Sequence, residues 1–302
     1  MQHLPTLRQL QFFEALCRTE SFSRAAETSF VSQSTLSSAI KELEAILDTT
    51  LVDRTAKGFA LTQAGEEVHR RSESLLADAR DLVRAASTTK PLLDGPYRLG
   101  LIPTIGSFLL PSAMPAIDAA FSNLKLFLRE DLTDNLVDLL RADQLDMAVL
   151  ALPLDLDGLD SAIFGADPFL FACREDHELA DRDVLRTEEL EHRQLLLLED
   201  GHCLRDHALS ACRLTTRTDT SAFAATSLFT LVQMVKSGLG LTLLPKLAVD
   251  QGLAEGLKII PLVDDDGSAP SRDLGLVWRR STRRAEEAQA LLPVLEESLS
   301  DG

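Results

Sequence analysis

Hydrophobic positions near the start of the chain recur at helical spacing. Leu7, Leu10, Phe13 and Leu16 follow one another at intervals of three residues, with Phe12 and Cys17 beside them. This pattern predicts a first amphipathic helix. Cys17 lies beside the apolar face of this helix, so we interpret it as a packing residue rather than a reactive one.

Two more helices are predicted after a serine-rich break. A short helix carries Ala25 and Ala26, a tight turn covers residues 29–31, and Ser32 is a good N-cap for the following helix. Small residues at a helix crossing, followed by a helix with a polar outer face, are typical of a helix-turn-helix. The candidate DNA contacts are Gln33, Ser34, Thr35 and Ser37 toward bases and Arg24, Lys41, Arg54 and Lys57 toward phosphates.

Two short strands and a long helix are predicted next. The strands, at residues 51–55 and 59–61, form a wing, and the helix runs from Thr62 to about Ala86 without an internal proline. Apolar and small residues along this helix repeat every 3.5 residues, which favours pairing with a second copy. The alternative is that the stripe packs on its own domain. Residues 87–91 are interpreted as a hinge.

Strand-like and helix-like segments alternate after Pro96. This alternation predicts parallel α/β sheets covered on both faces, either as one large unit or as two subdomains with a cleft. The predicted strands are 97–101, 124–128, 147–151, 169–173, 194–198, 240–244 and 274–278, and the predicted helices are 108–120, 135–142, 227–237 and 283–299.

Composition and charge exclude several classes of protein. With 45% hydrophobic residues, the chain of 302 residues can bury real cores and is not a disordered protein. The net charge of −17 argues against nucleic-acid binding, but the first 87 residues carry only −2 of it. We find neither a membrane-length apolar run nor a secretory signal, so a cytoplasmic protein without a membrane partner is expected. Four cysteines do not make a disulfide scaffold.

The N-terminal segments resemble those of LysR-type transcriptional regulators. The resemblance rests on residues 22–26, 31–37 and 61–65, and on 225–227 and 238–245 in the second half. It implies an α+β multidomain fold: a winged helix-turn-helix at 1–61, a linker and dimerisation helix with its hinge at 62–90, and a periplasmic-binding-protein-like α/β regulatory domain at 91–302. The regulatory domain would comprise subdomain I, about 91–166 plus 270–302, and subdomain II, about 167–269. Expected partners are a double-stranded DNA operator, further copies of the chain in a dimer or tetramer, and RNA polymerase.

Within that family the chain resembles the peroxide-sensing OxyR branch. Residues 198–206 with Cys212 match its redox segment, and residues 101–106 and 109–111 match its first regulatory strand and helix. The resemblance implies that hydrogen peroxide oxidises Cys203 and that Cys212 resolves the product into a disulfide. It maps the peroxide pocket to Thr104, Thr133, Asp200, His202 and Arg279. The recognition helix departs from the branch at Ser34, Ser38 and Ala39, so base preferences are not transferred.

The residues allow this chemistry on physical grounds. A thiolate attacks peroxide, and His202, Arg205 and a helix beginning at residue 204 would each lower the pKa of Cys203. If the nine-residue span from Cys203 to Cys212 is mostly helical, its Cα ends lie roughly 13 Å apart. A disulfide needs about 4.4–6.8 Å, so bond formation would require refolding.

Three alternatives remain open. A zinc site built from His202, Cys203, His207 and Cys212 is disfavoured, because two of the ligands are adjacent. A regulator that binds a small organic anion in the cleft would use Thr104 and Thr133 and leave the cysteines idle. A thiol peroxidase would leave residues 1–86 without a role. We expect a regulator rather than an enzyme, with no cofactor and no metal.

Overall fold

A computed structural model describes residues 3–53, 59–85, 91–191, 193, 195–199, 203–212, 225–280 and 282–300. The chain divides into two compact units. The first comprises Met1–Thr89 with Arg141–Asp143, and the second comprises Lys90–Leu140 with Gln144–Gly302. No helix among the described residues combines the length and apolar character needed to cross a membrane.

Three capped helices build the N-terminal unit, as the sequence pattern predicts. Helix α1 (Leu7–Thr19) begins with a capping box between Thr6 and Gln9, and Ser21 caps α2 (Phe22–Thr28). Helix α3 (Gln33–Leu47) begins after Ser32, whose hydroxyl accepts from the amide of Thr35 at 3.1 Å. The apolar faces of the three helices meet in one core that includes Phe13, Leu16, Ala25, Leu36, Ile40 and Leu43.

The wing joins this core to the long helix. Strands β1 (Val52–Asp53) and β2 (Ala60–Leu61) pair antiparallel, and α4 (Gln63–Ala85) follows. Gly65 lies in the first turn of α4, where an added Cβ would be 2.1 Å from the carbonyl oxygen of Leu51. The close approach of these two backbones therefore requires glycine at this position.

The long helix α4 has one buried side and one exposed side. Ser72 and Leu76 are buried, and Leu76 belongs to the N-terminal core. Leu75, Leu82 and Val83 are 54%, 74% and 69% exposed. Part of the predicted stripe thus packs on its own unit, while Leu75 and Leu82 remain uncovered within the chain. Dimerisation through α4 stays a prediction.

The second unit contains one nine-stranded mixed sheet with an order of β4-β3-β5-β11-β6-β10-β7. Strands β8 and β9 lie off this path, β8 pairing with β9 and β9 with β6. The strands are β3 (Gly95–Leu101), β4 (Leu124–Glu130), β5 (Met147–Leu152), β6 (Leu159–Cys173), β7 (Leu185–Arg186), β8 (Leu195–Leu196), β9 (Leu241–Pro245), β10 (Lys258–Val263) and β11 (Ser271–Arg279). The helices are α5 (Pro103–Ala120), α6 (Thr133–Arg141), α7 (Cys203–Ala211), α8 (Leu228–Lys236), α9 (Lys246–Asp250) and α10 (Thr282–Ser300), with a 3-10 turn at Thr187–Leu190.

The prediction of purely parallel sheets is wrong. Strand β3 pairs parallel with β4 and β5, but β11 runs antiparallel to both β5 and β6. Strand β6 is also antiparallel to β9 and β10. The reason is that β6 and β11 are long return strands, which a local hydrophobic pattern does not distinguish from parallel ones. The predicted strands do not include residues 159–168 of β6, nor β7 and β10.

Two hydrophobic cores lie along these long strands. One core draws on residues 93–164, 247 and 274–295, and the other on residues 169–262. Phe164 on β6 belongs to the first core, whereas Phe169 on the same strand belongs to the second. Residues 165–168 of β6 therefore pass between the cores, opposite the start of β11, where Asp167 pairs in register with Arg272.

Candidate functional site

A polar surface suited to DNA lies on the recognition helix. Gln33, Ser34 and Thr35 in the first turn of α3 are exposed, and Ser37 is half-buried. The Ser23 hydroxyl donates to Gln33 Oε1 at 3.1 Å, which ties the start of α2 to the start of α3. The structure thus brings the predicted base readers onto one helix face. The predicted phosphate contacts Arg24 and Lys41 are exposed, whereas Arg54 and Lys57 lie outside the described residues.

A second polar site lies between the two cores of the C-terminal unit, and Arg272 is its centre. This arginine is fully buried, and its guanidinium donates to Asp167 Oδ2 from Nε at 3.1 Å and from Nη2 at 2.9 Å. It also donates to the hydroxyl and to the carbonyl oxygen of Thr104, both at 2.9 Å. These bonds occupy four of its five N–H groups. The arginine joins the start of α5 to the crossing of β6 and β11.

The Asp167 carboxylate completes this cluster. Its second oxygen, Oδ1, accepts from the backbone amide of Leu247 at the start of α9 at 2.9 Å. Both charges are buried, so each depends on the other for compensation, and removing one partner costs about 3–5 kcal/mol. We infer that this pair fixes the local geometry of the polar region between the two cores (the cleft).

Cys203 begins helix α7 beside this cluster. Burial raises the pKa of the Cys203 thiol, while the Thr133 hydroxyl and the positive charge of Arg272 act in the opposite direction. The sequence-based expectation of a lowered pKa is therefore wrong for this structure, because removal from water outweighs the nearby positive charge. At neutral pH the cysteine is mainly a thiol, with groups beside it that stabilise the thiolate.

The two predicted threonines both occupy first turns of helices. Thr104 lies in the first turn of α5 and accepts from Arg272, so its hydroxyl hydrogen remains for donation. Thr133 begins α6, and its buried Oγ1 has no partner of hydrogen-bond geometry among the described residues. Both hydroxyls therefore retain hydrogen-bonding capacity near Arg272 and Cys203. The positive ends of α5, α6 and α7 also favour negative charge there.

The assignment of Arg279 to this pocket is wrong. Arg279 pairs in register with Leu159, seven residues along β11 from Arg272. At ~3.3 Å per residue these two Cα atoms lie about 23 Å apart. The buried arginine that contacts Thr104 is Arg272. No local sequence signal separates Arg272 from Arg279, because both lie on β11 and only the register of β11 against β6 places Arg272 opposite Asp167.

The second cysteine of the predicted pair lies at the other end of α7. Helix α7 spans Cys203–Ala211, and the amide of Cys212 donates to the carbonyl of Ala208 at 3.1 Å. Nine helical steps place the two cysteine Cα atoms about 13 Å apart. Both thiols are free, and burial, with a smaller effect of Asp264, raises the pKa of Cys212 to about 12.

The remaining predictions concern two further pocket residues and a metal site. Asp200 and His202 lie outside the described residues. Among the residues that the structure describes, no group of histidine, cysteine and acidic side chains is arranged to hold a metal ion. His207 lies on α7 with a buried Nδ1 that has no partner within the described part of the chain.

Comparisons with known proteins match both halves of the chain to known domains. Residues 7–66 match the model of the bacterial regulatory helix-turn-helix protein, lysR family, and residues 91–300 match that of the LysR substrate binding domain. The chain is 40% identical over 296 residues to the HTH-type transcriptional regulator EstR of Acinetobacter baylyi, which covers 98% of each protein. It is 37% identical over 274 residues to the DNA-binding transcriptional dual regulator OxyR of Escherichia coli, which covers 90% of this chain and 89% of that one.

A solved structure extends the likeness to the whole fold. An H2O2-bound cysteine-to-serine variant of Corynebacterium glutamicum OxyR superposes with a TM-score of 0.67 at 32% identity. The match covers 100% of this chain and 94% of that one. This chain therefore belongs to the LysR family of bacterial transcriptional regulators, with an N-terminal DNA-binding helix-turn-helix and a C-terminal LysR-type regulatory domain.

Proposed function

We propose that this DNA-binding regulator senses hydrogen peroxide through Cys203 and responds by forming a disulfide with Cys212. The observation that carries the proposal is the placement of Cys203 at the start of α7, beside the Thr133 hydroxyl and the Arg272 charge. The likeness to an H2O2-bound OxyR structure supports peroxide as the effector.

The first step oxidises Cys203. The sulfur attacks one peroxide oxygen, so an S–O bond forms and the O–O bond breaks. The departing oxygen takes the proton released by the thiol and leaves as water. The Thr104 and Thr133 hydroxyls bind and orient the peroxide. Arg272 and the starts of α5, α6 and α7 stabilise the negative charge that develops on sulfur and on the departing oxygen.

The second step converts oxidation into a change of shape. The Cys212 sulfur attacks the sulfenic sulfur, forming the S–S bond and releasing a second water. The Cα separation of about 13 Å along α7 exceeds the roughly 4.4–6.8 Å that a disulfide permits. The helix must therefore unwind, which repacks the second core of the regulatory unit and alters how a dimer or tetramer holds its operator and meets RNA polymerase.

A second candidate is a regulator that binds a small organic anion in the same cleft, with idle cysteines. The 40% identity to EstR favours it, since that relative covers nearly the whole chain. Against it, the hydrogen bonds to Asp167 and Thr104 leave one Arg272 N–H for a carboxylate.

A thiol titration separates the two candidates. One equivalent of hydrogen peroxide is expected to remove two thiols from the wild-type protein and to give a Cys203–Cys212 disulfide by peptide mass. Cys203→Ser should lose no thiols at that dose and should keep DNA binding in the reduced form. Cys173→Ser, which alters a buried cysteine in the second core, is the matched control and should respond like the wild type. Four intact thiols in the treated wild-type protein would contradict peroxide sensing.

A further inference from the structure

A histidine shares the inner face of helix α7 with Cys203. His207 follows Cys203 by four residues, and side chains at this spacing are neighbours on one helix face. Its Nδ1 is buried without a partner among the described residues. The peroxide chemistry proposed above assigns no step to this imidazole.

Charged groups from two elements face His207. On β11 these are Arg272 and Asp273, and on α7 they are Asp206 and the titratable thiol of Cys203. A proton on the imidazole would bring a second cation close to the buried guanidinium of Arg272. Burial, and then the charge of Arg272, lower the pKa of His207, and the two aspartates only partly offset them. With α7 in place, the protonated form of the imidazole is therefore disfavoured.

Disulfide formation removes His207 from this environment. Cys203 and Cys212 lie at opposite ends of α7, so bonding between them breaks the helix that holds His207 against β11. In the unwound segment the imidazole reaches water and gains ordinary affinity for a proton, with a pKa of about 6.5.

On the basis of the proposed peroxide-sensing function, we propose that His207 couples proton uptake to the thiol–disulfide switch, so that acid favours the oxidised conformation. Against a glutathione buffer, the reaction consumes both protein thiols and one glutathione disulfide, and it yields the protein disulfide and two glutathione thiols. All thiols are protonated in mildly acid solution, so this exchange alone neither takes up nor releases protons. Protonation of His207 adds one proton to the oxidised side.

The experiment measures the equilibrium of the full-length protein with reduced and oxidised glutathione between pH 5 and 7.5. The oxidised fraction is read by acid quenching, alkylation and mass. In the wild type, the ratio of squared glutathione to glutathione disulfide at half-oxidation should rise as the pH falls below about 6.5, by up to tenfold per pH unit. His207→Gln and His207→Asn keep a polar side chain without a titrating proton and should give a flat profile. His177→Gln should behave as the wild type, because His177 Nδ1 accepts from the amide of Leu179 in a surface turn.

The outcomes distinguish this inference from the proposed function. A wild-type profile that forms the disulfide but stays flat would overturn the role of His207 and leave peroxide sensing intact. A wild-type slope retained in both His207 variants would also overturn that role, because another group would then carry the proton. Absence of the Cys203–Cys212 disulfide at every pH would contradict the proposed function and this inference together.

Discussion

At the scale of single residues, the geometry of the cleft depends on the buried ion pair between Arg272 and Asp167. Arg272 orients Thr104, neutralises Asp167 and places positive charge near Cys203. Asp167 in turn accepts from the backbone amide of Leu247 at the start of α9. A substitution of Arg272 or Asp167 therefore affects both the free energy of unfolding and the rate of Cys203 oxidation. These two quantities are measured separately.

Arg272→Lys is expected to lower stability by about 3 kcal/mol or less and to slow oxidation of Cys203 by at least about tenfold. Lysine keeps the charge but cannot reproduce the forked contacts to Asp167 and Thr104, and a tenfold change in rate corresponds to ~1.4 kcal/mol. Chemical denaturation and stopped-flow oxidation with peroxide measure the two effects. Arg279→Lys is the matched control, since it lies on the same strand about 23 Å away. Equal peroxide rates in Arg272→Lys and the wild type would refute the role of Arg272.

At the scale of elements, helix α7 is the part that the proposed disulfide requires to move. Its nine residues begin with Cys203 and end one residue before Cys212, and its buried Leu204, Ala208 and Leu209 hold it to the regulatory unit. Each of these contacts must be released or remade when the disulfide forms.

Oxidation should expose the backbone amides of α7. Hydrogen exchange of residues 204–211 is expected to rise by about tenfold or more after peroxide treatment, because unwinding removes the helical hydrogen bonds. Hydrogen–deuterium exchange with peptide mass analysis tests this. Cys212→Ser should be oxidised only to sulfenic acid and should keep the protection of the reduced form. Unchanged protection of α7 in a protein whose disulfide is confirmed would rule out the proposed rearrangement.

Helix α3 carries the candidate phosphate contact Lys41 and the candidate base contacts. These two kinds of contact are distinguished by how DNA binding depends on salt and on sequence. Lys41→Ala is expected to weaken binding to all duplexes alike and to reduce the slope of log affinity against log salt by about one, as for a lost phosphate contact. Fluorescence anisotropy at several salt concentrations measures the slope. Lys125→Ala, an exposed lysine of the regulatory unit, should leave it unchanged. A loss confined to one DNA sequence would make Lys41 a base reader instead.

At the scale of the whole molecule, the exposed side of α4 is the candidate assembly surface. Leu75, Leu82 and Val83 are large apolar residues that the chain itself leaves uncovered. Their position on a long helix with a 3.5-residue repeat suits helix pairing with a second copy.

Leu82→Glu is expected to halve the mass of the assembly, from tetramer to dimer or from dimer to monomer, because it buries a charge in the helix pair. Light scattering after size-exclusion chromatography measures the mass. Leu4→Glu is a matched control, since Leu4 is 75% exposed and lies outside α4. An unaltered mass for Leu82→Glu would show that the copies assemble through another surface.

The local sequence determined the N-terminal unit and much of the regulatory unit. Helices α1 to α3 follow from apolar spacing and from the caps Thr6, Ser21 and Ser32, which act within a few residues of one another. These features depend on interactions between residues that are close in the sequence, so the sequence alone specifies them. Helix α7 is not among the predicted helices, although the expected pKa of Cys203 assumes a helix beginning at residue 204, one residue after α7 begins.

Only the tertiary structure decided the properties of the cleft. Arg272 and Arg279 lie on the same strand, and the register of β11 against β6 determines which of them faces Thr104. The pKa of Cys203 depends on how much of its surface the packed cores remove from water, which outweighs the positive charge that the sequence places nearby. Strand direction and burial arise from residues far apart in the chain, such as Asp167 and Arg272, which are 105 positions apart, and local patterns carry no record of such contacts.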